Sequence, residues 1–318
     1  MTPAQLRAFA EVARTGSVRD AAAALGVSDA AVSGHVGALR REFGDELFQR
    51  AGGGLAFTPG GLRLAARAVE MLGLQDATRR EVSAAAAGRR LLRIATTSLF
   101  AEHSAPGLIE LFSNRADDLG VELVVERSDR LPAMLTARQV DVVVGPALAG
   151  THAELTAEPF LRYQVVVVAH PGHPLAGGSP SRTALAGQQW ALGPSAAEPA
   201  GVTQRILRTL QVPEERQRIF QSHAAALEHV RNGEAVGTAL AYAVSDDVAQ
   251  GRLVRLVGPG PTLEATWTAM SLAPTQRSQL AREMMAFVTT PRALRAMIAG
   301  SGSDVRRFRP SVHVTLWR

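Results

Sequence analysis

Ser28-Asp29-Ala30-Ala31-Val32-Ser33-Gly34-His35-Val36-Gly37-Ala38-Leu39-Arg40-Arg41-Glu42-Phe43-Gly44 decides the fold of this chain. Ser28 is a helix N-cap residue, and Asp29 sets a negative charge in the first turn. Val32, Val36, Leu39 and Phe43 then fall at i, i+4, i+7 and i+11, which predicts a helix with one buried stripe. Gly44 is its stop signal. The opposite face carries Ala30, Ser33, Gly34, His35 and Gly37. Small and polar side chains there leave a surface that can approach something closely.

Working outward, Gly26-Val27 is a tight turn preceded by an alanine-rich helix, Val18–Leu25. Thr15-Gly16-Ser17 ends an earlier helix that places Leu6, Phe9 and Val12-Ala13 on one face. After Gly44, Leu47-Phe48-Gln49-Arg50 and Leu55-Ala56-Phe57-Thr58 flank Gly52-Gly53-Gly54 as a small hairpin. Pro59 suits the first turn of the next helix. From Gly60 to about Ala87 the pattern is one long helix, with Leu62, Ala66, Val69, Leu72 and Leu74 on its apolar side. It has no core of its own to pack against, which predicts a pairing helix between subunits. Gly88-Arg89-Arg90 marks a domain boundary.

Beyond Leu91 the texture changes. Leu91–Thr96, Val121–Glu126, Val140–Val144 and Val165–Ala169 are short apolar runs typical of buried parallel strands. Helical stretches at about 103–114, 131–138, 203–210, 223–232 and 275–289 alternate with them. This order predicts an open α/β sheet.

Composition narrows the classes. The chain has 318 residues, enough for two or three domains, and 46 % hydrophobic residues, enough for a sizeable core. It contains no cysteine, so disulfide frameworks, thiolate metal sites and cysteine nucleophiles are excluded. All 34 basic residues are arginine, which excludes phosphate-loop and Schiff-base lysines. Residues 1–90 hold 12 arginines and 9 acids, 91–290 hold 16 and 19, and 291–318 hold 6 and 1. Basic ends around an acidic middle permit nucleic-acid contact at the ends. No leader pattern opens the chain, and the apolar run Val165–Ala169 is far short of the ~20 residues of a membrane helix. The expected compartment is the cytoplasm.

These residues resemble a known family. Gln5-Leu6-Arg7-Ala8-Phe9, Gly16-Ser17-Val18-x-x-Ala21-Ala22, Leu25-Gly26-Val27-Ser28 and Ala31-Val32-Ser33 are similar to the LysR-type transcriptional regulators. The likeness continues through Leu39, Phe43-Gly44-x-x-Leu47-Phe48-x-Arg50, Leu55 and Thr58-Pro59-x-Gly61. With the α/β region that follows, it covers about 1–290. The resemblance implies an α/β protein with an all-α N-terminal part: a winged helix-turn-helix (1–58), a linker and dimerisation helix (59–90), and an effector-binding domain (91–290). That domain is periplasmic-binding-protein-like, with subdomain one at 91–160 and 266–290 and subdomain two at 161–265. Residues 291–318 are a basic C-terminal extension. The implied function is promoter binding modulated by a small-molecule effector, by a dimer or tetramer, with RNA polymerase as a possible partner and no cofactor.

Under this resemblance the DNA-contacting residues are Ser28, Asp29, Ala30, Ser33, Gly34 and His35 on the recognition helix and Arg50 in the wing. Arg40 and Arg41 are weaker candidates, read as a solvated face. Ser28 is equally well read as a plain N-cap. Family members usually carry proline at the position of Ala30 and a long polar side chain at that of Gly34, so base readout leans on His35 and DNA shape. Effector sites in such domains lie at strand ends. Thr97 and Ser98 lead the candidates, with Ser128, Gly145 and Ser222 behind them. Ser128 and Ser222 read first as helix caps.

Other chemistries are set aside. His170-x-x-His173 sits among Pro171, Gly172 and Pro174, so no helix aligns the two rings and no metal site is expected there. Gly258-Pro259-Gly260-Pro261 is a turn without the N–H donors of a phosphate loop. A Ser-His-Asp triad remains compositionally possible, but no Gly-x-Ser-x-Gly elbow exists. A stand-alone solute-binding protein is disfavoured by the N-terminal helices, and an enzyme by the lack of a nucleophile–base pair or cofactor fingerprint. The tail alternates at Val312-His313-Val314-Thr315-Leu316-Trp317, which favours an edge strand over an arginine-rich contact with DNA or an acidic partner.

Overall fold

Thr2 accepts the backbone N–H of Gln5 while the Gln5 side chain accepts that of Thr2, and this capping box starts α1 (Pro3–Thr15). Ser17 caps α2 (Val18–Leu25) and Ser28 caps α3 (Asp29–Phe43). Phe9, Val12, Ala21, Val32, Val36 and Leu39 form the core between them. Phe43 departs from the expected stripe and is 48 % exposed. It is the last helical residue, so the chain turns at Gly44 before another element covers it. The hairpin β1 (Phe48–Ala51) and β2 (Gly54–Phe57) pairs antiparallel, Phe48 opposite Phe57 and Arg50 opposite Leu55. The rings of Phe48 and Phe57 meet at 5.5 Å and both reach Phe9, which ties the hairpin to α1.

Thr58 caps α4 (Pro59–Ala86) by accepting the Gly61 N–H at 2.9 Å. A Cβ on Gly61 would stand 1.9 Å from the Leu47 carbonyl oxygen, so only glycine fits where α4 crosses the hairpin base. Leu64 and Ala65 pack on the helical core. Farther along, Val69, Leu74 and Val82, like Leu62 before them, are between 41 % and 64 % exposed.

The computed structural model describes residues 1–51, 54–147, 154–198 and 201–299. The chain divides into two units, Met1–Ala87 with Thr136–Gln139, and the remainder from Gly88. No helix among the described residues is long and apolar enough to cross a membrane.

The second unit begins with β3 (Arg90–Thr96), α5 (Ser98–His103), α6 (Ala105–Ser113), β4 (Leu119–Val125), α7 (Leu131–Thr136) and β5 (Val142–Pro146). Next come β6 (Leu155–Ala169), α8 (Arg182–Ala186), β7 (Trp190–Leu192), a 3-10 turn at Pro194–Ala197, α9 (Val202–Leu210) and β8 (Gln217–Ile219). It ends with α10 (His223–Arg231), β9 (Val236–Leu240), α11 (Ser245–Ala249), β10 (Val254–Arg255), β11 (Thr262–Leu272), α12 (Gln279–Val288) and α13 (Pro291–Ala299).

One sheet runs β4-β3-β5-β11-β6-β9-β7-β8, with β10 also on β6. It is mixed rather than parallel throughout. Strands β3, β4 and β5 form one parallel set, and β7, β8 and β9 a second. Strands β6 and β11 run antiparallel through both sets. The run Val165–Ala169, expected as a parallel strand, pairs antiparallel with β9 and β11. Burial on both faces makes a strand uniformly apolar whatever its direction. Trp267, where the β6–β11 register shifts, stacks on Tyr163 at 4.1 Å and meets Phe100 edge-on at 5.1 Å. The sequence reading left Pro291–Ala299 in the extension. It is a helix that buries Ala293 and Met297. The alternating tail at 312–317 lies outside the described residues.

Candidate functional site

The DNA-facing candidates occupy one surface of the first unit. Ser28, Asp29, Ala30, Ser33 and Gly34 are exposed on α3, and His35 is half-buried. The Ser28 hydroxyl accepts the Ala31 N–H at 3.2 Å, so its capping role is real and its exposure leaves room for a second bond. A Cβ at Gly34 would meet nothing within 4 Å, so the surface there is open. Arg50 is exposed on β1, with no hydrogen-bond or ion-pair partner among the described residues. Arg40 is corrected. Its guanidinium donates to the carbonyls of Glu46 and Phe48 at 2.7 Å each and lies over the Phe48 ring, so it braces the hairpin and is half-buried rather than a freely solvated side chain. Asp45 holds the other side, accepting from the Leu47 N–H and the Thr58 hydroxyl. These bonds lower its carboxyl below the ordinary aspartate value.

In the second unit the candidates gather at the carboxyl ends of the parallel strands. Thr97 and Ser98 follow β3, Ser128 follows β4, and Gly145 lies near the end of β5. Thr97 is buried and its hydroxyl does not cap α5. A Cβ at Gly145 would stand 3.9 Å from the Thr97 methyl, so these two share one place. Ser98 is half-buried. Ser222 follows β8, and its hydroxyl is engaged as the cap of α10 by the Ala225 N–H at 3.1 Å.

The sequence reading missed the cluster at the centre. Glu102, near the end of α5, accepts from the His223 Nδ1 at 2.9 Å and from the His223 backbone N–H at 2.8 and 3.1 Å. The Ala224 N–H adds a bond at 3.3 Å. His223 Nε2 meets the Ser195 hydroxyl at 2.9 Å, and Ser195 meets Thr203 at 3.0 Å. With Nδ1 donating to the carboxylate, Nε2 accepts from Ser195. Burial pushes the Glu102 carboxyl up, but its bonds to His223 outweigh that and leave it lowered. Beside it, burial and the neighbouring His223 push His103 down to about 4, so its imidazole is neutral near pH 7. Glu198 is buried and raised by desolvation, with the Ser128 hydroxyl donating to it. Gly193 makes the packing possible. A Cβ there would stand 2.3 Å from the His223 ring.

Glu102–His223–Ser195 has the bond order of a hydrolytic relay, but Ser195 is 6 % exposed and Thr203 shares its hydroxyl. That ties the oxygen down instead of presenting it to a substrate. His170 and His173 accept from the N–H groups of Gly172 and Leu175, so each ring caps its own turn.

A helix-turn-helix with a hairpin wing, followed by an α/β unit with a polar cluster where two parallel strand sets end, defines the class of ligand-responsive DNA-binding regulators. The family model for the bacterial regulatory helix-turn-helix protein, lysR family, matches residues 3–62, and that for the LysR substrate binding domain matches 85–291. The chain belongs to the LysR family of transcriptional regulators. It is 55 % identical over its whole length to the whole of an uncharacterized HTH-type transcriptional regulator of Mycobacterium tuberculosis. Among solved structures, ArgP from Mycobacterium tuberculosis covers 94 % of this chain and 97 % of its own, with 17 % identity and a TM-score of 0.57. Full-length LysG from Corynebacterium glutamicum with bound effector Arg covers 95 % and 98 %, with 20 % identity and a TM-score of 0.51. The protein is therefore a DNA-binding transcription regulator with an effector-binding domain.

Proposed function

We propose that this regulator contacts promoter DNA through Ser28, Asp29, Ala30, Ser33, Gly34 and His35, with Arg50 on the flanking phosphates. The observation that carries this reading is the exposed, small and polar first half of α3 together with an exposed wing arginine, Arg50, that has no partner among the described residues. An α-helix fills the major groove, and small residues allow its backbone to lie close to the bases. Dimers pair through the apolar side of α4 and assemble as tetramers on two half-sites in the cytoplasm, where RNA polymerase is a further contact. The two parallel strand sets are the two subdomains. An effector bound at the strand ends, near Thr97, Ser98, Ser128 and Gly145, changes the relative placement of the DNA-binding pairs.

The test is the salt dependence of binding to a duplex from the protein's own promoter, by fluorescence anisotropy. Arg50→Ala should weaken binding to all sequences and lower the slope of log affinity against log salt by about 1. His35→Ala should weaken the promoter duplex more than a scrambled one. Variants that bind both duplexes like the wild type would rule these residues out.

A further inference from the structure

The cluster at the strand ends contains a donor set that lies outside the DNA and effector contacts proposed above. Glu102 and His103 close α5, and His223 opens α10. One ligating atom from each lies within 4.8 Å of the other two. Two imidazoles and one carboxylate suit zinc-class ions, with bond lengths of about 2.0–2.2 Å. Tetrahedral donors at those lengths stand about 3.3 Å apart. Glu102 Oε1 and His223 Nδ1, now 2.9 Å apart over a shared proton, need to separate by only about 0.4 Å. No organic molecule fits between groups at that distance, whereas an ion takes the place of the proton.

The surroundings already orient each donor. Glu102 Oε2 is held by the backbone N–H groups of His223 and Ala224, and the His223 N–H, shared with Oε1 at 3.1 Å, lies closer to Oε2 at 2.8 Å, so Oε1 can turn toward an ion while Oε2 stays anchored. With Nδ1 on the ion, His223 Nε2–H donates to the Ser195 hydroxyl, itself held by Thr203. The His103 ring sits edge-on to the His223 ring at 5.8 Å and makes no hydrogen bond among the described residues.

We propose that Glu102, His103 and His223 form a binding site for a divalent transition-metal ion of the zinc class. Three protein donors leave a fourth position for water or a donor atom of a small molecule. Helices α5 and α10 follow strands of different parallel sets, so the ion holds the two sets together. That consequence rests on reading this unit as the effector-binding domain. The donor geometry does not.

The experiment uses untagged full-length protein stripped with a chelator. It is titrated with Co2+ while visible absorption is recorded, and separately with Zn2+ by calorimetry. One ion per chain is expected, with visible bands of four-coordinate Co2+ that Zn2+ abolishes. Ser195→Ala should weaken binding 10- to 100-fold. His103→Ala and Glu102→Gln should abolish it with their circular-dichroism melts preserved, and His103→Gln replaces the alanine variant if that one unfolds. A His170→Ala/His173→Ala double variant should bind normally. Absence of both Co2+ bands and Zn2+ heat at 100-fold excess, or full uptake by His103→Ala and Glu102→Gln, overturns the site. DNA binding of the stripped protein is measured in parallel. Promoter binding without metal uptake removes the metal site and leaves the regulator, and metal uptake without promoter binding does the reverse.

Discussion

A Cβ at Gly193 would stand 2.3 Å from the His223 ring, so Gly193→Ala should cost about 1–3 kcal/mol by overpacking, read from urea melts. The exposure of Arg50 and of the small, polar face of α3 was legible because local spacing fixes both, but the place of Arg40 was not. Its brace to Phe48 depends on how the hairpin folds back. The Glu102–His223 pair is 121 residues apart in sequence, and no local pattern announces it. Its one trace is Gly193, whose missing Cβ makes room for the ring. Asp247 makes a pH prediction. Burial raises its carboxyl, but bonds from Arg231 and Arg252, both at 2.6 Å, outweigh this and lower it. A folded-state value below the unfolded one stabilises at pH above the ordinary aspartate range. That contribution is lost as pH falls through the folded value. Asp247→Asn should therefore be less stable than wild type by about 2 kcal/mol near pH 7. Melts at falling pH should show the gap closing below about pH 4.

Elements were largely legible where one face is buried and the other is not. Helices α1 to α4 and the hairpin fall where capping residues, glycines and the 3.6-residue period put them. Strand direction was not legible in β6, since a strand covered on both faces keeps no alternation to read. Helix α13 was missed because its arginines made the segment look like a basic tail, although Ala293 and Met297 supply the apolar stripe. Thr58→Ala removes the cap of α4 and should cost about 1 kcal/mol in a thermal melt. A Leu74→Glu/Val82→Glu double variant puts charge on the exposed apolar side of α4 and should shift the light-scattering mass from dimer or tetramer toward monomer. An unchanged mass would remove α4 as the pairing helix.

At the scale of the whole molecule, family and class follow from two independent regions. The helix-turn-helix matches over residues 3–62 and the effector-binding domain over 85–291. The order of these regions was readable because each has its own period, helical in the first 90 residues and strand–helix alternation after Leu91. The Glu102–His223–Ser195 cluster was not readable, since its side chains come from separate elements that only the folded sheet brings together. Sequence-selective, salt-sensitive binding to promoter DNA is the behaviour expected of this regulator. It is tested most directly by a gel shift of the pure protein on DNA from upstream of its own gene, beside scrambled DNA of equal length at the same salt. Preferential retardation of the upstream DNA, weakening steeply with salt and reduced by Arg50→Ala, is the expected result. Equal affinity for both DNAs across the salt range, unchanged by Arg50→Ala, would contradict it.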